Sequence, residues 1–350
     1  MLADLHLQHF RSYKDDSFEF SPGVNIIVGP NASGKTNLLE AILLLATGKS
    51  YRVSDNNLIH FDESWSRLDA HLPDDSTRTI KLNKNNQPYK LLEIYGKKYK
   101  RFSQNIKLPI VLFEPNHLQL LSGGPENRRV YLDDLIEQTQ TNYSKVRRDY
   151  TRILSQRNSL LKQAHLPNDS QMFPWNIRLS QLAGKIVQAR SLLVGELNTK
   201  TNDLYKELSK TKTELDIKYD NKWPIEVYES RFLKSLETNV NDDHARGFTS
   251  TGPHREDFGL LLNRHNSREV ASRGESRTAI LALKIAELQM LDEVYGVKPL
   301  LLLDDVFSEL DGARRHALTN YLKTYQTFIT TTEADIILEH FSDECTITAL

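Results

Sequence analysis

The chain has 350 residues, 39% of them hydrophobic and 26% charged. That composition is globular, and this length predicts two or three domains able to bury a core without staples. Lys and Arg (45) nearly balance Asp and Glu (46), so no global basic field draws the protein to nucleic acid, and the single cysteine, Cys345, excludes an intramolecular disulfide framework and a cysteine-based zinc site.

The N-terminus carries Asp4 early and lacks the apolar stretch of a secretion signal. The longest aliphatic runs, 41–46 and 300–303, fall far short of the ~20 residues that cross a bilayer. A soluble cytoplasmic protein without membrane association is expected.

Leu5/Leu7 and Phe18/Phe20 repeat with the period of strands. Val24–Val28 is an apolar run ending at Gly29, as a buried strand would. A helix is predicted from Lys35 through Leu38, Leu39, Ile42 and Leu45 to about Thr47, with Gly48 stopping it. Residues 65–102 predict an antiparallel β subdomain with strands at 67–72, 77–82 and 90–94, the last two joined by the turn-rich stretch 83–88. Ile110–Phe113 reads as a buried strand.

From Arg128 to about Lys210 the pattern is polar and helix-periodic, and a break at 167–170 predicts two helices folded back on each other. Strands follow at 214–219 and 258–262, a helix at 274–295, a buried strand at 299–303, a helix at 311–325 and a strand at 327–330. The two ends therefore form one α/β domain, 1–125 with 250–350, and residues 126–249 form a mainly helical insertion.

Gly29-Pro30-Asn31-Ala32-Ser33-Gly34-Lys35-Thr36 fits G-x-x-x-x-G-K-[ST] between a predicted strand and a predicted helix. Glycines let backbone amides wrap an anion, and the helix N-terminus faces it. Lys35 is expected on the β/γ-phosphates and the Thr36 hydroxyl on Mg²⁺. The strand 300–303 delivers Asp304 and Asp305 to its carboxyl end. Asp304 suits the Mg²⁺ hydration shell, and Asp305 suits the attacking water as orienter or base. Ser272, Gly274 and Glu275 open the helix at 274–295 in an S-x-G-E arrangement that is also a common cap.

In this order, phosphate loop, S-x-G-E, aspartate strand and Ser308-Glu309-Leu310-Asp311, the chain resembles ATP-binding-cassette ATPases of the SMC-like branch. The stretch 115–133, ending in G-x-P-x-x-R-R-x-[FY]-L-D at Asp133, together with Phe10-Arg11-Ser12-Tyr13 and Thr251-Gly252-Pro253-His254-Arg255, is similar to the RecF family over nearly the whole chain. The resemblance implies an α/β fold: a P-loop ABC-type ATPase head with an antiparallel β subdomain and an inserted helical arm. It implies that Ser272, Gly274 and Glu275 bind, in trans, an ATP held by residues 29–36 and Asp304. ATP-driven homodimers would then act at gaps, on double- and single-stranded DNA, with RecO and RecR in placing RecA, and support SOS induction. Asp305 stands where most cassette ATPases have glutamate, which implies a slow, DNA-stimulated ATPase whose hydrolysis resets the dimer. Thr331 or Thr332 stands near the place of the transporter switch histidine. The 236 residues from Thr36 to Ser272 suit a short arm, longer than a transporter cassette needs and shorter than a full SMC coil. The alternative is another SMC-like ATPase with a nuclease partner.

For DNA, Lys145, Arg148 and Arg152 share a predicted helix face, flanked by Arg147 and Arg157 and preceded by Arg128 and Arg129. Lys97 and Lys98 lie in a second stretch, 95–102, that interleaves bases and aromatics. No segment resembles a base-reading helix, so shape rather than sequence preference is expected.

Overall fold

Val24–Val28 is apolar almost throughout, as a strand covered on both faces must be. The computed structural model describes residues 1–85, 89–333, 341 and 345–350, and divides them into one unit of 1–117 with 284–350 and a second of 118–283. The expected boundaries at 125 and 250 are thus displaced, chiefly at the second crossing.

The first unit opens with β1 (Asp4–Phe10), β2 (Tyr13–Glu19) and β3 (Val24–Val28), then α1 (Lys35–Thr47). β4 (Trp65–His71), β5 (Thr77–Asn83), β6 (Tyr89–Ile94), β7 (Lys97–Tyr99) and β8 (Ile110–Phe113) follow. The antiparallel meander exists but is larger than residues 65–102, because β1 pairs with β4 and brings β2 with it, in the order β2-β1-β4-β5-β6-β7. The end of the turn between β5 and β6, residues 86–88, lies outside the described residues.

The second unit contains α2 (Gln119–Ser122), α3 (Pro125–Thr139), α4 (Tyr143–Leu161) and α5 (Asp169–Ser209). Two expected helices are therefore three, because Asn142 adopts a left-handed backbone (φ 73°) that restarts the chain. Asn168 caps α5 in a reciprocal box with Gln171, which marks the break at 167–170. β9 (Leu215–Asp220), α6 (Tyr228–Thr238), α7 (Val240–Arg246), β10 (Asp257–Leu262), β11 (His265–Asn266) and α8 (Ser267–Val270) complete it. β10, expected in the head, pairs antiparallel with β9 and so belongs to the arm.

α9 (Arg273–Tyr295) spans the boundary between the units. β12 (Leu300–Asp304), α10 (Val306–Glu309), α11 (Gly312–Leu322), β13 (Thr327–Thr331) and β14 (Cys345–Ala349) return to the first unit. There a parallel sheet runs β14-β3-β13-β12-β8, and β14 had no counterpart among the expected strands. The core lies around α1: Leu38, Leu39, Ile42 and Leu45 join a cluster with Leu5, Leu7 and Leu68 of the antiparallel sheet and Leu302 and Phe328 of the parallel one. Among the described residues no helix is long and apolar enough to cross a membrane.

Candidate functional site

The parallel sheet places β13 between β3 and β12, with Val28 opposite Thr331 and Asp304 opposite Thr330. The loop leaving β3 and the aspartate ending β12 therefore open on the same edge. In that loop Gly34 has φ 111°, and a Cβ there would lie 2.9 Å from both Ser12 Oγ and Tyr13 Oη, so only glycine fits. Pro30, Asn31 and Ala32 are exposed at the crest, whereas Lys35 is buried beneath it. Its Nζ donates to the carbonyls of Gly29 (2.7 Å) and Pro30 (3.0 Å). The buried Ser33 Oγ has no hydrogen-bond partner, a polar atom that a phosphate oxygen would satisfy.

Thr36 Oγ1 donates to Asp304 Oδ1 at 3.0 Å, and Thr330 Oγ1 donates to the same oxygen at 2.8 Å. Asp305 has a left-handed backbone (φ 53°), and its N–H donates to Thr330 Oγ1 at 2.9 Å. Thr330 thus ties both aspartates, a role for which the sequence carries no signal. Thr331 Oγ1 instead makes a local turn with the backbone of Glu333.

Two further groups at this edge carried no sequence signal. Glu114 directly follows β8, and burial together with the Asp304 charge holds its carboxyl above the ordinary range. The Tyr51 hydroxyl is buried without a partner, and burial with the Asp304 and Glu114 charges pushes it up. A carboxyl whose ionisation a neighbouring negative charge disfavours is one that a bound cation relieves. Among the described residues no three acidic, His or Cys groups form a metal cage, so a bound cation needs oxygens from elsewhere, such as a phosphate.

The Phe10–Tyr13 motif braces this site. Arg11 Nε donates to Glu40 Oε2 (2.8 Å) on α1, and its Nη1 to the Asn57 carbonyl (3.1 Å). Ser12 Oγ accepts from Asn37 Nδ2 (3.0 Å), and Tyr13 Oη donates to the Gly34 carbonyl (3.0 Å).

In the second unit Ser272 and Glu275 cap α9 reciprocally. The Ser272 N–H donates to Glu275 Oε2 (2.8 Å), and Ser272 Oγ accepts from the Glu275 N–H (3.2 Å). These bonds hold the Glu275 carboxyl below its ordinary range. Gly274 lies in the first turn, its carbonyl accepting from Thr278 Oγ1 at 2.9 Å.

The basic candidates separate. Lys145, Arg148 and Arg152 are exposed on α4, opposite its buried face of Tyr143, Tyr150, Ile153 and Arg157. Among the described residues, only Arg152 of the three pairs with an acid, Asp149 at 3.5 Å. Lys97 and Lys98 are exposed on β7, Lys97 over the Tyr99 ring. Arg128 does not join the exposed stripe. It is 1% exposed, paired in a fork with Asp257 (2.8 and 2.7 Å) and bonded to the carbonyls of Leu120 and Gly123. Arg147 is held by Asp133, Asp134 and Glu137, and Arg157 is fully buried. Arg129 is half-buried, with Nη1 on the Glu256 carbonyl.

The two long motifs of the second unit meet here. Asp133 forms a fork with buried Arg190, which also donates to the Pro253 carbonyl (2.7 Å). Gly252 has φ 121°, and a Cβ there would lie 2.7 Å from the Phe232 ring. His254 is pinned on both ring nitrogens: Nε2 donates to the Thr249 carbonyl (3.0 Å), so Nδ1 accepts from Tyr150 Oη (2.7 Å). Burial pushes His254 down to about 4, with Arg255 and Arg129 contributing, the Thr249 bond opposing and Asp243 drawing the other way. The unfolded chain takes up this proton at the ordinary imidazole value of about 6.5 and the folded one only at about 4. Stability is therefore expected to fall as pH drops through that window, by about 1.4 kcal/mol per pH unit and about 3 kcal/mol in all. Urea unfolding at pH 7 and pH 4.5 checks this. His254→Gln should flatten the pH dependence, and an unchanged slope in that variant would remove His254 as its source.

Comparison with known proteins agrees with this geometry. The family model described as RecF/RecN/SMC N terminal domain matches residues 1–348. The DNA replication and repair protein RecF of Acaryochloris marina is 36% identical, over 95% of this chain and 92% of its own length. That of Heliobacterium modesticaldum is 35% identical, over 97% and 93%. The solved recombination mediator protein RecF with ATP, described in the RecFOR pathway, superposes with a TM-score of 0.86 at 32% identity, covering 95% of this chain and 92% of that one. An Smc head bound to the C-terminal winged-helix domain of ScpA shares the fold at a TM-score of 0.54 and 16% identity. With a G-x-x-x-x-G-K-[ST] loop beside the aspartate that ends a buried strand, two motifs of the second unit tied through Arg190 and relatives matched over almost their full length, this chain belongs to the RecF family.

Proposed function

We propose that this protein is an ATP-dependent DNA-binding protein of recombinational repair and replication recovery. The observation that carries the reading is the convergence of buried Lys35 and Asp304 with half-buried Thr36 at one sheet edge, Thr36 and Asp304 already 3.0 Å apart. Residues 29–34 would cradle the phosphates of ATP, Lys35 would neutralise them, and Thr36 with Asp304 would hold Mg²⁺. A cation held by these residues would supply charge neutralisation for the transferring phosphoryl group. Asp305 would orient the water.

A second copy completes the site. Its Ser272, Gly274 and Glu275 would face the ATP, so that ATP closes a homodimer and slow hydrolysis reopens it. The ATP-bound RecF structure in the RecFOR pathway supports the nucleotide and, by kinship, RecO and RecR as partners. Action at single-strand gaps, placement of RecA and support of SOS induction follow from the same kinship, and so does a cytoplasmic location. DNA would lie along Lys145, Arg148 and Arg152, with Lys97 and Lys98 as a further contact.

Fluorescence anisotropy on gapped duplex DNA at fixed salt, with and without Mg-ATP, tests the coupling. ATP is expected to tighten binding about tenfold, or about 1.4 kcal/mol. Ser272→Arg should keep the basal affinity and lose the ATP increment. Tightening that survives Ser272→Arg would remove the composite site, and binding indifferent to ATP would remove the coupling.

A further inference from the structure

We infer that Arg129 and Arg255, with the ring of Phe248, form a second binding site for backbone phosphate of DNA, separate from the exposed face of α4. The inference rests on the DNA-binding reading above; it adds Arg255 and Phe248 and moves Arg129 from the α4 stripe to a separate place.

Consecutive arginines on α3 have opposite fates. Arg128 is spent on Asp257, whereas Arg129 places its Nη1 3.1 Å from the carbonyl of Glu256, the residue next to Arg255. Three acids of this region are already committed, and exposed Glu126 forms no ion pair with either arginine among the described residues. Asp133 holds Arg190, Arg147 and the Tyr143 hydroxyl. Asp257 holds Arg128 and Arg268, and Glu256 accepts from Tyr219, Tyr228 and the Lys222 N–H. Among the described residues neither Arg129 nor Arg255 forms an ion pair: the Arg129 side chain is held by a neutral carbonyl and that of Arg255 by an aromatic ring. Burial and the neighbouring Arg190 push Arg129 down, Arg255 adds to this, and Asp257 and Glu126 offset only part. Two mutually repelling guanidiniums without a counter-ion are an arrangement that an anion stabilises.

The geometry is prepared for one. The Arg255 guanidinium lies over the Phe248 ring at 4.8 Å, which restrains its position while both residues stay exposed. A stacked guanidinium keeps its edge N–H groups free for a bidentate phosphate contact. The turn beneath is rigid: the Arg255 N–H donates to the Gly252 carbonyl (2.8 Å), Arg190 grips Pro253, and both His254 nitrogens are bound. Because the whole chain carries a formal charge of −1, a polyanion must be gathered by such local clusters. Tyr150, which touches His254, lies opposite Lys145, Arg148 and Arg152 on α4, so the two basic regions are distinct.

The test measures gapped-DNA affinity against salt for wild type, Arg255→Gln, Arg129→Gln and an Arg148→Gln/Arg152→Gln control, each checked for unaltered melting. Arg255→Gln is exposed and keeps the test open if Arg129→Gln melts early. Each of Arg255→Gln and Arg129→Gln should lower the log–log salt slope by about 0.9 and weaken binding severalfold at about 100 mM salt. Wild-type slope and affinity in Arg255→Gln would overturn the inference. If the control alone loses DNA, this site fails while DNA binding stands; if wild type binds no DNA, the broader reading fails first. A parallel melt with inorganic phosphate separates the sources. Phosphate stabilisation lost in Arg255→Gln with DNA binding intact would make this a free-anion site and overturn the backbone assignment.

Discussion

Lys35→Ala is expected to weaken ATP binding by about 100-fold to 1,000-fold, or about 3–4 kcal/mol. Hydrogen bonds from a cation to phosphate are among the strongest single contacts a protein makes, and a P-loop lysine makes more than one. Lys35 is 5% exposed and at present satisfies the carbonyls of Gly29 and Pro30. Alanine removes that support too, so a melting curve must accompany the binding measurement. A small melting shift with a large affinity loss places the effect on the nucleotide. Lys35→Arg keeps the charge but brings a wider fork under a crest shaped for an ammonium, and should also bind poorly. Titration with a fluorescent ATP analogue reads both variants. Wild-type affinity in Lys35→Ala would remove the phosphate-loop assignment itself. Thr36→Ala provides the contrast. Its hydroxyl faces Asp304 and not the loop carbonyls, so it should lose only the Mg²⁺-dependent part of the affinity.

The loop between β3 and α1, with its left-handed Gly34, was legible because its signals are local. Glycines, lysine and threonine stand within eight consecutive positions, and strand and helix periodicities flank them. Asp304 was legible for a related reason, since four leucines announce a buried strand and its carboxyl end is where ligands bind in such sheets. Thr330 was not. Its hydroxyl matters because β13 lies between β3 and β12, and strand order in a parallel sheet has no short-range signature. Glu114 and Tyr51 were hidden likewise, since Asp304 reaches them only through the tertiary fold.

The basic stripe shows the opposite failure. Lys145, Arg148 and Arg152 are exposed as their spacing suggests, but Arg128 and Arg157, of the same residue type and in the same stretch, are interior. Charge alone predicted solvent. What overrode it is a set of acids more than 80 residues away in sequence, Asp257 for one and Asp243 for the other, which no local pattern reveals. The domain boundary moved for a similar reason. β10 is a short strand whose partner is β9, so residues expected in the head fold with the arm.

Arg157→Leu is expected to destabilise the second unit by about 3–5 kcal/mol, the cost of leaving a buried carboxylate without its cation. Arg157 is 0% exposed, and every bond it makes crosses to another segment. Its Nε donates to Asn176 Oδ1 (2.8 Å) on α5, and its Nη2 to the Leu236 carbonyl (3.1 Å) on α6. Its Nη1 donates to Asp243 Oδ2 (2.8 Å) on α7 and to Thr249 Oγ1 (2.6 Å). Leucine fills part of the volume but supplies no donor. Among the described residues Asp243, 1% exposed, then keeps only the Ser250 N–H and hydroxyl on its other oxygen. Urea unfolding followed by Trp175 and Trp223 fluorescence reads the second unit, since the remaining tryptophan, Trp65, belongs to the first. Adding Asp243→Asn should recover part of the loss, because the orphaned charge is the larger penalty and an amide costs less to bury. A loss below about 1 kcal/mol in the single variant would mean that water reaches the pair and that its burial contributes little. The same variant separates structure from DNA contact. A phosphate contact would lower the salt slope of DNA binding by about 0.9, whereas an interior brace leaves the slope of the folded fraction unchanged. Arg152→Gln, five residues earlier on the exposed face of the same helix, should do the reverse, changing the slope and leaving the melt alone.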